Sequence, residues 1–249
     1  MSKHVNIFNI EMNNMTMEEF LMNFKQGFLV TPNVDHLMML QKNNEFYEAY
    51  KSADYITADS QIVYWATRFL GNGVKEKLSG SDIFPAYCQY HKDDSDVRIF
   101  LLGAMPGIAQ LAAERINYRI GRNIVVGTHS PSMNFVNDLG ECDAVIDIIN
   151  DSGANVLVVG LGAPKQEIWI MRHRQKLVNI NTFMALGATL DFEAGTLSRA
   201  PGWVSQCGLE WLYRLTREPG RLWKRYLVRD VGFFMLLFKQ KLGFYKSPF

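Results

Sequence analysis

The stretch NVLVVGLGAPKQEIW, Asn155–Trp169, carries residue types suited to holding an anion. Its first six residues are apolar and β-branched, which predicts a buried strand. Gly160 and Gly162 leave little side chain over the start of the helix expected from Lys165, so backbone N–H groups there can approach a negative charge closely. Pro164 stands where a helix tolerates proline, near its start. A strand end, a glycine turn and a helix N-terminus make the usual ligand crevice of an open α/β sheet. The plainer reading is an ordinary βα turn. The third glycine of GxGxxG is missing and the stretch is not a P-loop, so neither nucleotide fingerprint is present.

Other polar residues follow short apolar runs in the same way: Thr31, Asn33, Asp35 and His36, then Asp59 and Ser60, the Gly103–Gly107 turn, Gln166, and Asp191. Residues just past strand ends converge on one rim of such a fold. Each also has a local explanation. Asp59 could cap the following helix, Thr31 and Asn33 could form turns, Gln166 could be a solvated first-turn residue, and His36 could be structural. The sequence Asp94-Ser95-Asp96 precedes its strand and so falls on the opposite edge, where it reads as a solvated turn and not as a metal site.

The elements that must position these residues alternate. Strands are expected at Val5–Ile10, Phe28–Val30, Tyr55–Thr57, Val97–Leu102, Asn123–Val126, Asn155–Gly160 and Asn181–Leu186. Helical patterns lie between them: Thr16–Gln26, with a capping box at Thr16 and Glu19, a stretch to Ser52, and others ending near Leu70, Tyr90, Ile120, Asp151 and Leu177. This alternation predicts a mostly parallel, Rossmann-like α/β sheet with helices on both faces. Composition changes near Leu197–Gly202, which suggests a core of residues 1–198 and a C-terminal helical appendage of residues 199–249.

Charge is divided unevenly across that boundary. Residues 1–198 hold 16 Lys/Arg and 22 Asp/Glu, whereas residues 199–249 hold 10 Lys/Arg, 3 Asp/Glu and many aromatics, so a net charge of +1 hides a tail of +7. A basic, aromatic terminal segment suggests an anionic surface or ligand. The three cysteines are widely scattered and none pairs at metal-ligand spacing, in keeping with a reducing compartment. The N-terminal residues lack a signal-peptide pattern, and no run approaches the ~20 apolar residues of a spanning helix. A cytosolic protein is expected.

Several stretches occur in one order: TPNVDH from Thr31, ADS from Ala58, SGSD from Ser79, GLGAPKQEIW, LGATLDFEAG from Leu186, RAPGW from Arg199, and GLEWLYRLTREPGRLWKRY from Gly208. Together they span about Thr31 to Tyr226 and resemble the WecG/TagA/CpsF family of bacterial glycosyltransferases (glycosyltransferase family 26). The resemblance implies an inverting, metal-independent enzyme that needs no cofactor. It would move a sugar from a UDP-sugar to a polyprenyl-diphosphate-linked saccharide in cell-surface polysaccharide synthesis. The enzyme would be peripheral on the inner face of the cell membrane, without a nucleic-acid partner, and a homo-oligomer is possible.

By motif, the resemblance implies Asp59 as general base, with Thr31, Asn33 and Gln166 as active-site polar residues. Asp191 matches an aspartate near the nucleotide. Lys77, Asp82, Gly103, Gly160, Gly162 and Lys165 fall in substrate-binding stretches. Arg214, Arg221 and Lys224 or Arg225 match basic appendage residues that reach the lipid diphosphate. Two positions depart from the family pattern: Ser60 replaces a glycine after the aspartate, and Lys77 stands where arginine is common, which loses bidentate geometry towards phosphate. The alternatives are a nucleotide-dependent oxidoreductase and a non-catalytic membrane- or nucleic-acid-binding module.

Overall fold

A computed structural model of the chain describes residues 3–217, 219–224 and 230–249, with the backbone alone at 206, 221, 222 and 224. The chain opens with an antiparallel hairpin, β1 (His4–Ile7) and β2 (Ile10–Asn13), where the sequence predicts one strand. Its turn contains no glycine. Phe8 takes φ 52° there, a strained conformation for a bulky residue, and its ring packs on Phe233 and Tyr245.

Next come α1 (Met17–Asn23), closed by the expected capping box, then β3 (Gly27–Val30), α2 (Val34–Met39) and α3 (Asn44–Lys51). The helical pattern expected up to Ser52 is thus two helices, because the Asn43 side chain accepts the Phe46 N–H and starts a new one. The chain continues through β4 (Tyr55–Ile56), α4 (Gln61–Leu70), α5 (Gly80–Tyr90), β5 (Ile99–Gly103), α6 (Ile108–Ile120) and β6 (Val125–His129). Then follow α7 (Leu139–Asp151), β7 (Val156–Gly160), α8 (Lys165–His173), β8 (Thr182–Ala185) and α9 (Thr189–Ala194). The last part holds α10 (Gly202–Gln206), α11 (Glu210–Arg217), α12 (Pro219–Lys224) and α13 (Gly232–Lys241).

Strands β3–β8 form one parallel sheet in the order β4-β3-β8-β7-β5-β6. Side chains alternate across it. Phe28, Val30, Phe100, Leu102, Leu157, Val159, Phe183 and Ala185 enter one core with α2, α3, α4, α7, α8 and α13. Leu29, Ile99, Leu101, Val156, Val158 and Met184 enter the other with α1, α5, α6 and α9. Covering both faces explains why the strands read as continuous apolar runs. The class is α/β with a Rossmann-like sheet, as expected.

The chain repeatedly leaves neighbouring strands towards opposite faces of the sheet. From β5 it goes to α6 and from β7 to α8; likewise from β8 to α9 and from β3 to α2. Such switch points open crevices at the C-terminal strand ends. The final helix packs on the first core. Phe233 and Leu237 are buried beside α2 and α4, the Phe8 N–H donates to Gln240 Oε1 at 2.9 Å, and the Tyr245 hydroxyl donates to Gln41 at 2.7 Å. Among the described residues, no helix is long and apolar enough to cross a membrane.

Candidate active site

The site is built from the exits of β3 and β4. These strands pair in register, and the Asp59 N–H donates to the Pro32 carbonyl at 3.0 Å, so the two exit loops run side by side. On the other flank, Leu78 gives its N–H to Ala58 and accepts the Thr57 hydroxyl, which brings Lys77 and Ser79 alongside. Ser60, not Asp59, caps α4: its Oγ accepts the Val63 N–H at 3.1 Å. The Asp59 carboxylate, which has no part in that cap, lines a cavity of about 290 Å³.

The walls of this cavity come from both ends of the chain. Asn33, Asp35, Asp59 and Lys77 form one side; Ser205, Glu210, Trp211 and Arg214 from α10–α11 form another; Asp230, Val231 and Phe234 complete it at the start of α13. Desolvation pushes the Asp59 carboxyl up to about 8, with the negative charges of Glu210 and Asp82 adding to the effect. Lys77 and Arg214 oppose the rise. The site therefore holds Asp59 largely protonated at neutral pH, close to the point where it can accept a proton.

A cationic frame surrounds it. Lys77 pairs with Asp82 at 3.2 Å, and Asp82 also accepts from the Ser79 hydroxyl and from Arg199. Burial alone would raise the Asp82 carboxyl, but these two hydrogen bonds and the Lys77 charge hold it below the usual range. Arg214 fronts a second cavity of about 140 Å³ as well, bounded by Phe192, Thr196–Ser198, Tyr213 and Arg217. Arg199 and Arg214 both lie over the Phe192 ring, each 5.9 Å from its centroid.

Of the residues singled out in the sequence, Asn33, Asp35, Asp59, Ser60, Lys77 and Arg214 thus meet at one cavity, with Asp82 one contact behind. Asn33 also caps α2 through the His36 N–H. Thr31 is buried at the end of β3 and does not line the cavity. Gly103 and Gly160 serve close approach: a Cβ on Gly103 would fall 2.6 Å from the Gly160 carbonyl oxygen. Asp191 lies in the first turn of α9, and Lys165 donates to the Met133 carbonyl. The side chains of Arg221 and Lys224, and all of Arg225, lie outside the described residues.

The Gln166 amide is engaged on both ends. Its Oε1 accepts from the N–H groups of Gly162 and Gly187, each at 3.1 Å, and its Nε2 donates to Glu167 at 2.9 Å. The Gly162 N–H, read from the sequence as open to an anion, is thus already bonded. Burial pushes the Glu167 carboxyl up to about 7. Nearby, Tyr50 binds His36 at 2.8 Å, and burial raises its phenol, with the charges of Glu167 and Asp59 adding to the rise.

The model of the glycosyl transferase WecG/TagA/CpsF family matches residues 5–247. The chain belongs to this family. It is therefore a glycosyltransferase, acting between a nucleotide-sugar donor and a saccharide acceptor, and the oxidoreductase alternative falls. In this WecG/TagA/CpsF protein, Glu210, Trp211, Ser205, Asp230 and Phe234 line the cavity, although the sequence marked none of them as a site residue. One signal was available. Only three acids occur after residue 198, and two of them, Glu210 and Asp230, face the cavity. Among the described residues, no three His, Cys, Asp or Glu side chains form a metal-binding group, and Asp94 instead binds His91 at 3.0 Å and the Asp96 N–H.

Proposed function

We propose that this protein is an inverting transferase that moves a sugar from a UDP-sugar to a polyprenyl-diphosphate-linked saccharide, without a metal, at the inner face of the cell membrane. The observation that carries the reading is Asp59, poised near pH 8 in a cavity roofed by the basic C-terminal helices. As a carboxylate, Asp59 takes the proton of the acceptor hydroxyl. The hydroxyl oxygen bonds to the anomeric carbon from the face opposite UDP, the bond from that carbon to the phosphate oxygen breaks, and UDP departs with the electron pair. One positioned base contributes ~10²–10⁴-fold. Lys77 and Arg214 stabilise negative charge on the diphosphates, together with Arg221, Lys224 and Arg225. Thr31, Asn33 and Gln166 order the site, and Asp191 serves the nucleotide side.

The surface beside the cavity supports the membrane part of the reading. Trp65 and Phe69 of α4 and Phe234 and Phe238 of α13 are each roughly half exposed, and Phe69 meets Phe238 edge-on at 5.4 Å. Phe234 belongs to both this face and the cavity wall. Neither residues 61–75 nor residues 231–249 contain an acid, whereas Arg68, Lys239, Lys241 and Lys246 stand among them. An aromatic, acid-free, basic face suits anionic headgroups, at about 1 kcal/mol per well-placed cation.

The test is UDP release from a panel of UDP-sugars, with and without polyprenyl-diphosphate-linked acceptors, in EDTA. Acceptor-dependent release from one donor establishes the reading. Release that needs a divalent cation, or a donor other than a UDP-sugar, overturns it.

A further inference from the structure

Gln166 and Glu167 are 1% and 0% exposed, yet both are polar and one is ionisable. The pair is arranged with a definite sense. Gln166 Oε1 faces two donors, the N–H groups of Gly162 and Gly187, while its Nε2 faces an acceptor, Glu167 Oε1. Turning the amide over would set its NH₂ against two N–H groups and its oxygen against a carboxylate. Glu167 thereby fixes the amide's direction. Its other oxygen has no hydrogen-bond partner, an arrangement that disfavours burial and that an apolar residue would avoid.

The two glycines lie in the exit turns of β7 and β8, at φ 78° and 52°, conformations that other residues rarely hold. Strands β7 and β8 are neighbours, and the β5 turn joins them through the Ala104 N–H to the Gly160 carbonyl at 3.0 Å. One amide thus ties together the turns at the centre of the rim, beside the switch points. We infer that Gln166 and Glu167 form a buried clamp holding these turns in place, and that Gln166 serves transfer through the turns rather than by touching substrate. Both are positioning residues. Only the kinetic part of this inference rests on the transferase reading above.

Replacing Gln166, and exchanging the two side chains, tests it in the full-length protein. Q166M leaves both glycine N–H groups without their acceptor, so kcat/KM falls roughly tenfold or more, carried chiefly by KM for the nucleotide sugar, and the Gly162 and Gly187 amides exchange hydrogen at least ~10-fold faster. E167Q keeps an acceptor for the amide and stays within about threefold of the parent. In the double variant Q166E/E167Q, the carboxylate at 166 accepts both glycine N–H groups and the amide at 167 donates to it. Activity and exchange protection then return to within about threefold. Unchanged exchange in Q166M overturns the clamp. Exchange restored in the double variant without activity overturns the indirect role, because Gln166 must then meet substrate itself. If no donor supports transfer at all, the exchange measurements still decide the clamp.

Discussion

Glu210, on a C-terminal helix, shares a cavity with Asp59 of the core and raises the affinity of that carboxylate for its proton. The two acids are distant in sequence and meet because α11 roofs the exits of β3 and β4. Glu210→Gln retains the oxygen that accepts the Ser205 hydroxyl at 3.0 Å but removes the charge. The Asp59 carboxylate is then better tolerated and its pKa falls. The rising limb of kcat/KM against pH, expected near 8 in the parent, moves to lower pH by up to about one unit. A limb that stays in place or moves up would show that Glu210 does not act on Asp59.

Asp59→Asn removes the proposed base while keeping the shape. Transfer should drop ~10²–10⁴-fold with UDP still bound, as read by calorimetry. The same variant has a stability signature. The folded pKa, about 8, lies above an unfolded value of ~3.9, so the folded state binds the extra proton in that window. The stability Asp59 contributes is full below ~4 and is lost as pH rises through about 8. The parent should therefore lose more Tm between pH 6 and pH 9 than Asp59→Asn does.

The face made by α4 and α13 predicts lipid binding separable from folding. Lys239→Ala with Lys241→Ala should weaken sedimentation with anionic vesicles by roughly tenfold or more, with little effect on neutral ones. Phe69→Ser with Phe238→Ser should do the same through lost apolar contact. Equal binding to both vesicle types by the parent would remove the electrostatic part of the argument.

Phe233 is fully buried beneath the N-terminal hairpin and meets Phe8 edge-on at 5.5 Å. Phe233→Ala should cost about 3–5 kcal/mol in urea unfolding. A cost near zero would mean that α13 contributes nothing to the core.

The alternation of strands and helices could be read from the sequence because both faces of the sheet are covered, and β3, β5, β7 and β8 stand out as apolar runs. The hairpin could not, since its turn rests on the burial of Phe8 by residues from the far end of the chain. Asp59 was visible as a polar residue after a strand, but whether it capped α4 was not, because Asp and Ser are equally good caps and stand side by side. Gln166 looked like a solvated first-turn residue. Its actual role depends on Gly187, which periodicity cannot place next to Gly162. Glu210 was hidden for the same reason: nothing local to α11 announces that it closes over β3 and β4.

Arg214 borders both cavities, so one positive charge is shared between two compartments. An anion entering either side draws on the same guanidinium and lowers what it can offer to the other. The compartments cannot fill independently. Whatever penalty the first occupant imposes on the second, the second imposes equally on the first. Anionic molecules that reach both cavities are thereby bound to compete for a residue without competing for space.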